Sequence, residues 1–156
     1  MQYKYVRIAL SLVFAATLAM GALSVHGMAA AALATAGGLM LAAWIATHRE
    51  GVLEEHARRE ARGEKYRREH RREKPNVFLI AVIMFGAGAA MIFAVFADYS
   101  RGPVRGFLQR ILFEYLGPTG MVILFSFMAA FLLAMALEFA LGELWARKKM
   151  GSDPIS

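Results

Sequence analysis

The chain contains no cysteine, and only 19% of its 156 residues are charged. The first absence excludes disulfides, thiol nucleophiles, iron–sulfur clusters and cysteine-ligated zinc. The second argues against an ordinary soluble domain, in which about 25% of residues are charged. Hydrophobic residues make up 58% of the chain. This value excludes a disordered chain, which needs low hydrophobicity.

Sequence signatures of catalysis and of cofactor binding are missing as well. There is no His-Glu-x-x-His pattern, no glycine-rich phosphate loop and no nucleophile elbow. A bis-histidine haem needs two ligands at a similar depth, whereas His26 and His48 fall at opposite faces of the predicted membrane domain. We therefore predict no catalytic residue, no metal site, no cofactor and no enzymatic activity.

Long apolar runs dominate what the sequence does contain. A helix that spans a bilayer needs about 20 predominantly apolar residues, and four segments meet or approach this requirement. They are residues 6–25, 28–48, 77–98 and 119–146. The sequence thus predicts an all-α membrane protein in which four transmembrane helices form a single membrane domain.

The first two runs are almost continuous, because His26 is the only ionisable residue in residues 8–47. A single helix of that length would measure about 60 Å, twice the hydrocarbon thickness, so the chain must turn. Ser24-Val25-His26-Gly27 is the polar, glycine-containing point near the middle, and we predict the turn there. Gly37-Gly38 is the competing break. The basic start of the first run resembles a signal peptide, but nothing soluble follows it, and we interpret it as a span.

Residues 48–75 have a different composition, with ten Lys or Arg and seven Glu among 28 residues. Glu precedes Arg by four residues at several positions, in the order that stabilises a helix. We predict a charged helix that continues from the second span, with Gly51 and Gly63 as candidate breaks. Its three histidines are expected to be solvated. Since glutamates interleave with the cations and Tyr66 is the only aromatic residue, nucleic acid is not an expected partner.

The cations of this charged segment form the predicted contact surface. Basic residues beside a membrane attract anionic lipid headgroups, and they can equally bind an acidic protein partner. The candidate residues are Arg58, Arg59, Arg62, Lys65, Arg67, Arg68, Arg71 and Arg72. We also expect the chain to form a homo-oligomer or a hetero-oligomer with other membrane proteins.

The segment between the third and fourth spans is amphipathic. Over residues 103–116 apolar side chains fall on one helical side, and Arg105, Gln109 and Arg110 fall on the other. We predict a short extracytoplasmic helix that lies in the membrane interface or caps the bundle. Gly117-Pro118 is predicted to end it. Residues 150–156 are predicted to be a disordered tail.

The distribution of basic residues predicts the orientation. With four spans, the two termini and residues 48–75 share one side, which carries 15 Lys or Arg against 3 on the other. Cytoplasmic loops carry an excess of Lys and Arg. The sequence therefore predicts a multi-pass membrane protein with both termini in the cytoplasm.

Glu138 is the most informative single residue. It lies seven residues before Trp145, about 10 Å deeper along a helix than this candidate interface residue. An ionisable group inside a span is costly and is a functional candidate. Arg7 of the first span is close to the same membrane face. We predict that the two residues form a structural ion pair, with proton transfer or cation binding by Glu138 as the alternative.

Three functions can be weighed on this basis. Small size, the lack of motifs and the charged arm favour a non-enzymatic accessory, assembly or regulatory subunit of a larger membrane complex. The alternative is a small oligomeric ion channel or transporter that uses Glu138. A lipid-modifying enzyme is disfavoured, because no pair of nucleophile and base is visible.

Overall fold

The computed structural model describes residues 2–23, 27–70, 76–96 and 107–150, and these are helical apart from His48 and Asn76. No strand occurs in these ranges. The helices are α1 (Gln2–Leu23), α2 (Gly27–Thr47), α3 (Arg49–His70), α4 (Val77–Phe96) and α5 (Phe107–Met150). The predicted all-helical class is therefore confirmed over the described residues.

Three of the described helices are long and apolar enough to cross a membrane. They are α1, α4 and Phe113–Lys149 of α5. The number rises to four if α2 and α3, which form a pair bent by 79°, are counted as one broken span. Large apolar side chains such as Phe85 and Phe93 point outward from the bundle, as contact with lipid requires. The chain is thus a helical bundle with three or four candidate membrane spans.

The central element of the bundle is α5, which packs against each of the other four helices and most extensively against α4. Small residues make the closest contacts. Gly88 of α4 lies against the side chain of Leu133 and the backbone of Ala129. Small residues at such positions let helices approach closely where lipid removes the hydrophobic drive for association.

The predicted turn between the first two spans falls between Leu23 and Gly27, and residues 24–26 lie outside the described ranges. The competing break is not used, because α2 continues through Gly37 and Gly38. A Cβ atom on Gly38 would lie 3.0 Å from the ring of Phe14. The two glycines therefore let α1 pack closely on α2.

The charged helix does not continue α2 in the predicted direction, because the chain bends by 79° at His48. The carbonyl of Trp44 accepts a hydrogen bond from the Thr47 hydroxyl at 2.9 Å, and Nδ1 of His48 lies 2.9 Å from the same oxygen. Such side chains compete with the backbone for carbonyls at the end of a helix. Gly51 and Gly63, the predicted breaks, both lie inside α3.

A side-chain cap starts α4. The Asn76 side-chain oxygen accepts hydrogen bonds from the backbone N–H groups of Phe78 and Leu79 at 3.1 and 3.3 Å. These bonds satisfy two donors that have no partner in the first turn of a helix. The start of α4 is thereby fixed at Val77, directly after the capping residue Asn76.

A kink divides α5 at Gly117, which has φ 65° and ψ 179°. The helix of residues 107–116 ends there, as the Gly117-Pro118 pair predicts, while residues 103–106 lie outside the described part of the chain. The remaining helix, residues 118–150, is about 50 Å long, which exceeds the ~30 Å hydrocarbon core. The predicted tail begins at Met150, the last helical residue, and residues 151–156 are not described.

Gly117→Ala is expected to destabilise the protein by about 1–3 kcal/mol, because only glycine readily adopts this backbone conformation. A Cβ atom at Gly117 would meet nothing within 4 Å, so backbone strain alone is tested. The matched control is Gly86→Ala, in a regular helix and also open to space. We expect a lower unfolding midpoint in detergent for the first variant only. Equal midpoints would contradict the assigned kink.

Candidate functional site: a buried ionic node

Glu138 of α5 is almost completely buried, with 1% of its surface exposed. Its Oε2 atom accepts hydrogen bonds from two guanidinium groups on different helices. One belongs to Arg7 of α1, and the other to Arg59 of α3, whose Nη2 lies 2.9 Å away. We call these three residues the ionic node. It joins the start of α1, the middle of α3 and the C-terminal half of α5.

Arg59 makes two further contacts that fix its side chain. Its guanidinium carbon lies 4.4 Å from the centre of the Phe139 ring, a cation–π geometry. Its Nε atom lies 3.7 Å from Oε1 of Glu55. Only 17% of the Arg59 side chain is exposed. The residue is therefore held between α3 and α5 and does not extend into solvent.

The energetics of such a cluster depend on its being complete. Removing charges from water costs several kcal/mol for each ion, and close partners offset this cost only while all are present. Charge-assisted hydrogen bonds to one carboxylate are the strong kind. The node therefore stabilises one arrangement of three helices, and losing Glu138 leaves two largely buried guanidinium groups without the carboxylate that they share.

Two further residues of α3 dock on the same stretch of α5. Val52 is fully buried, and His56 is 6% exposed. The Nε2 atom of His56 lies 3.7 Å from Oε2 of Glu143. A Cβ atom on Gly142 would lie 3.1 Å from Cβ of His56. Positions 52, 56 and 59 share one face of a helix, and we call them the docking face of α3.

An aromatic stack lies where α1 meets the bend between α2 and α3. The rings of Tyr3 and Trp44 stack with centroids 5.1 Å apart, and those of Trp44 and His48 with centroids 4.2 Å apart. A Cβ atom on Gly51 would lie 2.5 Å from the Tyr3 ring. Gly51 is thus the position at which α3 passes directly over α1, and any side chain there meets Tyr3.

The structure brings together Glu138 and Arg7, the two residues that the sequence predicts as a pair. It separates Arg59 from the predicted contact surface, because the guanidinium of Arg59 binds Glu138. The side chains of Arg58, Arg62, Lys65 and Arg68 are exposed. The Arg67 side chain, Arg71 and Arg72 lie outside what the structure describes.

Sequence reasoning missed the burial of Arg59 and His56. Both were expected on a solvated face, because the flanking residues are almost all charged. The available signal is the spacing of Val52, His56 and Arg59 on one helical face. It is weak, since only Val52 is apolar and a single apolar residue does not define a packed stripe.

Some polar atoms of the described residues remain without a partner. The Glu138 Oε1 atom and the Tyr3 hydroxyl are buried and make no hydrogen bond. Among the described residues no group of three or more His, Asp or Glu side chains is placed to hold a metal ion. The node therefore consists of one carboxylate and two guanidinium groups, with one carboxylate oxygen unused.

Comparison with known proteins adds no relative to this description. No family model matches the chain, no curated protein is significantly similar to it, and no solved structure matches its fold.

Proposed function

We propose that this protein is a small non-enzymatic integral membrane protein, an accessory, assembly or regulatory subunit of a larger membrane complex. The observation that carries the proposal is the way α3 is built. Its first half is fixed to the bundle by the docking face and the ionic node. In its second half the side chains of Arg62, Lys65 and Arg68 are exposed. A rigidly anchored charged arm of this kind suits contact with a partner.

The buried charges support the same proposal. Glu138 binds two guanidinium groups from different helices, and this arrangement holds helices together. Two positive charges beside the carboxylate also repel a third cation. Glu138, which the sequence predicts as a candidate for proton transfer or cation binding, therefore has a structural role.

The proposed topology places four spans in the membrane, with both termini and α3 in the cytoplasm. The ionic node supports it, because it joins the start of α1, α3 and the C-terminal half of α5 at one end of the bundle. That end carries the excess of basic residues, as cytoplasmic segments do. In this arrangement residues 107–116 lie at the extracytoplasmic interface, and the cations of α3 face anionic headgroups or an acidic partner.

Reversing the exposed charges of Arg62, Lys65 and Arg68 in α3 is expected to disrupt the proposed complex. The variant Arg62→Glu/Lys65→Glu/Arg68→Glu alters exposed positions and replaces no member of the ionic node. We expect the complex extracted gently from the native membrane to lose its partner by native mass measurement. The matched control, Lys148→Glu/Lys149→Glu, changes exposed cations at the end of α5 and is expected to retain it. An unchanged complex in the α3 variant would contradict the proposed role of the arm.

A small oligomeric channel or transporter is the second candidate. The observation that favours it is the unbonded, buried Oε1 atom of Glu138, which is an unused acceptor inside the bundle. Reconstitution into liposomes separates the two functions. The subunit proposal predicts no ion flux by the purified chain, whereas flux that Glu138→Gln abolishes would establish the alternative.

A further inference from the structure

A pair of apolar grooves runs along one side of the bundle, between α2 and α4. The first, which we call the inner groove, has a volume of about 490 Å³. Its walls include Leu41 and Ala42 of α2, Ala81 and Phe85 of α4, and Leu137 of α5. The second, of about 390 Å³, continues past Phe14 and Gly38 toward Phe96. Together they follow the two helices along most of their length.

The inner groove exists because small residues line it and because α2 and α4 hardly contact each other. Five alanines and one glycine contribute to its lining, where larger side chains would fill the space. Every lining side chain is apolar. The groove therefore offers no hydrogen bond and no charge to a ligand, and only hydrocarbon suits it.

The position of the inner groove limits its occupant further. It lies beside side chains that already face outward from apolar spans, such as Phe78 and Val82. It is open to the side, so that a chain from the surrounding lipid can enter without passing through the bundle. Packed interiors do not leave volumes of this size empty. The hydrocarbon chains of the surrounding membrane are available to fill it.

The inner groove offers about 490 Å³ of space to its occupant. An apolar helix of a second protein is the competing occupant, and it requires a partner, whereas lipid chains surround every helix that spans a bilayer. A single hydrocarbon chain is no wider than one side chain, and it fits between α2 and α4.

From these observations we propose that the inner groove is a binding site for one acyl chain of a membrane lipid. The chain fills the space between α2 and α4 and contacts the alanines at the floor. The lipid becomes part of the side of the bundle that a partner subunit would meet. This inference depends on the membrane assignment and is independent of the proposed accessory function.

The test uses phosphatidylcholine with a diazirine on one acyl chain, added to the full-length protein in nanodiscs. After photolysis, peptide mapping is expected to show label at groove residues such as Ala81 and Leu137, at several times the level at Phe93. Phe93 is 69% exposed but lies outside the groove lining. Excess lipid without the diazirine should reduce the labelling of groove residues before it reduces the labelling of Phe93. Labelling in proportion to the exposed fraction of each side chain would overturn the proposal.

A pair of neighbouring variants provides the second readout. Ala42 lines the groove, whereas Ala43 is exposed and does not line it. Ala42→Phe should fill the groove and reduce its label at least several-fold, and Ala43→Phe should leave the label unchanged. Thermal midpoints identify a variant that fails to fold. In that case the labelling pattern of the unaltered chain in nanodiscs is the test of the proposal. Equal labelling of two folded variants, or crosslinks from groove residues to a second copy of the chain, would also overturn the proposal.

Discussion

Replacing Glu138 by alanine is expected to lower the free energy of unfolding by about 3–5 kcal/mol, the usual cost of breaking a buried ion pair. The physical reason is that Arg7 and Arg59 both lose their carboxylate and remain largely buried. Unfolding in mixed micelles of dodecyl maltoside and sodium dodecyl sulfate measures the change. Glu54→Ala is the matched control, since Glu54 forms an exposed pair with Arg58. We expect less than about 1 kcal/mol there.

A triple variant separates the charges from the packing. Replacing Arg7, Arg59 and Glu138 together by methionine removes every buried charge of the node and keeps most of its volume. Buried ion pairs replaced by apolar residues of similar size often cost little or even stabilise. We therefore expect the triple variant to recover most of the stability that Glu138→Ala loses. A Glu138→Ala protein as stable as the unaltered chain would show that the node does not hold the helices.

Gly51→Ala and Gly63→Ala are expected to change stability in opposite directions, although both glycines lie inside α3. A Cβ atom on Gly51 would lie 2.5 Å from the Tyr3 ring, whereas one on Gly63 would meet nothing within 4 Å. Overpacking at Gly51 should cost about 1–3 kcal/mol. Gly63→Ala should stabilise by up to about 1 kcal/mol, since alanine is the better helix former.

The two glycine variants are compared by their unfolding midpoints in the same detergent. Both variants replace a helical glycine by alanine, so that a destabilised Gly51→Ala protein beside a stabilised Gly63→Ala protein reports the contact between α3 and α1. Once Trp145 is replaced by phenylalanine in both variants, Trp44 is the remaining tryptophan. Its fluorescence then gives a second signal, because Tyr3 stacks on this indole. If both variants were stabilised to a similar extent, α3 would not pass over Tyr3 as the structure has it.

The helical class could be predicted from the sequence, because apolar runs of spanning length are a strong signal. Gly117 as the end of the helix of residues 107–116 was equally accessible, since Gly-Pro is a characteristic stop. The direction of α3 could not be predicted. At the bend, Thr47 and His48 contact the Trp44 carbonyl, and α3 packs on α1 and α5. No local sequence pattern encodes the contacts with α1 and α5.

The candidate site could be predicted only in part. Glu138 stands out because a carboxyl group is rare inside an apolar run, and Arg7 follows from its position at the same face. Arg59 could not be distinguished from the neighbouring arginines, because its role depends on α3 folding back over α5. Gly142 looks like an ordinary packing glycine in the sequence, yet it is where His56 meets α5.

The most direct test of the ionic node is a disulfide between His56→Cys and Gly142→Cys. The natural chain has no cysteine, so these two thiols are the only ones present. A Cβ atom on Gly142 lies 3.1 Å from Cβ of His56, close to the ~3.5–4.5 Å of a disulfide. We expect mild oxidation to join them rapidly, and the pair Ala61→Cys/Gly142→Cys to remain open.

The decisive comparison takes the His56→Cys chain with and without Glu138→Gln and follows alkylation of the introduced thiol, at a position that is 6% exposed. If Glu138 holds α3 on α5, Glu138→Gln should accelerate alkylation by about tenfold or more, because each ~1.4 kcal/mol of lost docking free energy raises the undocked population tenfold. An unchanged rate would contradict the account, since α3 would then stay docked without the carboxylate that binds Arg7 and Arg59.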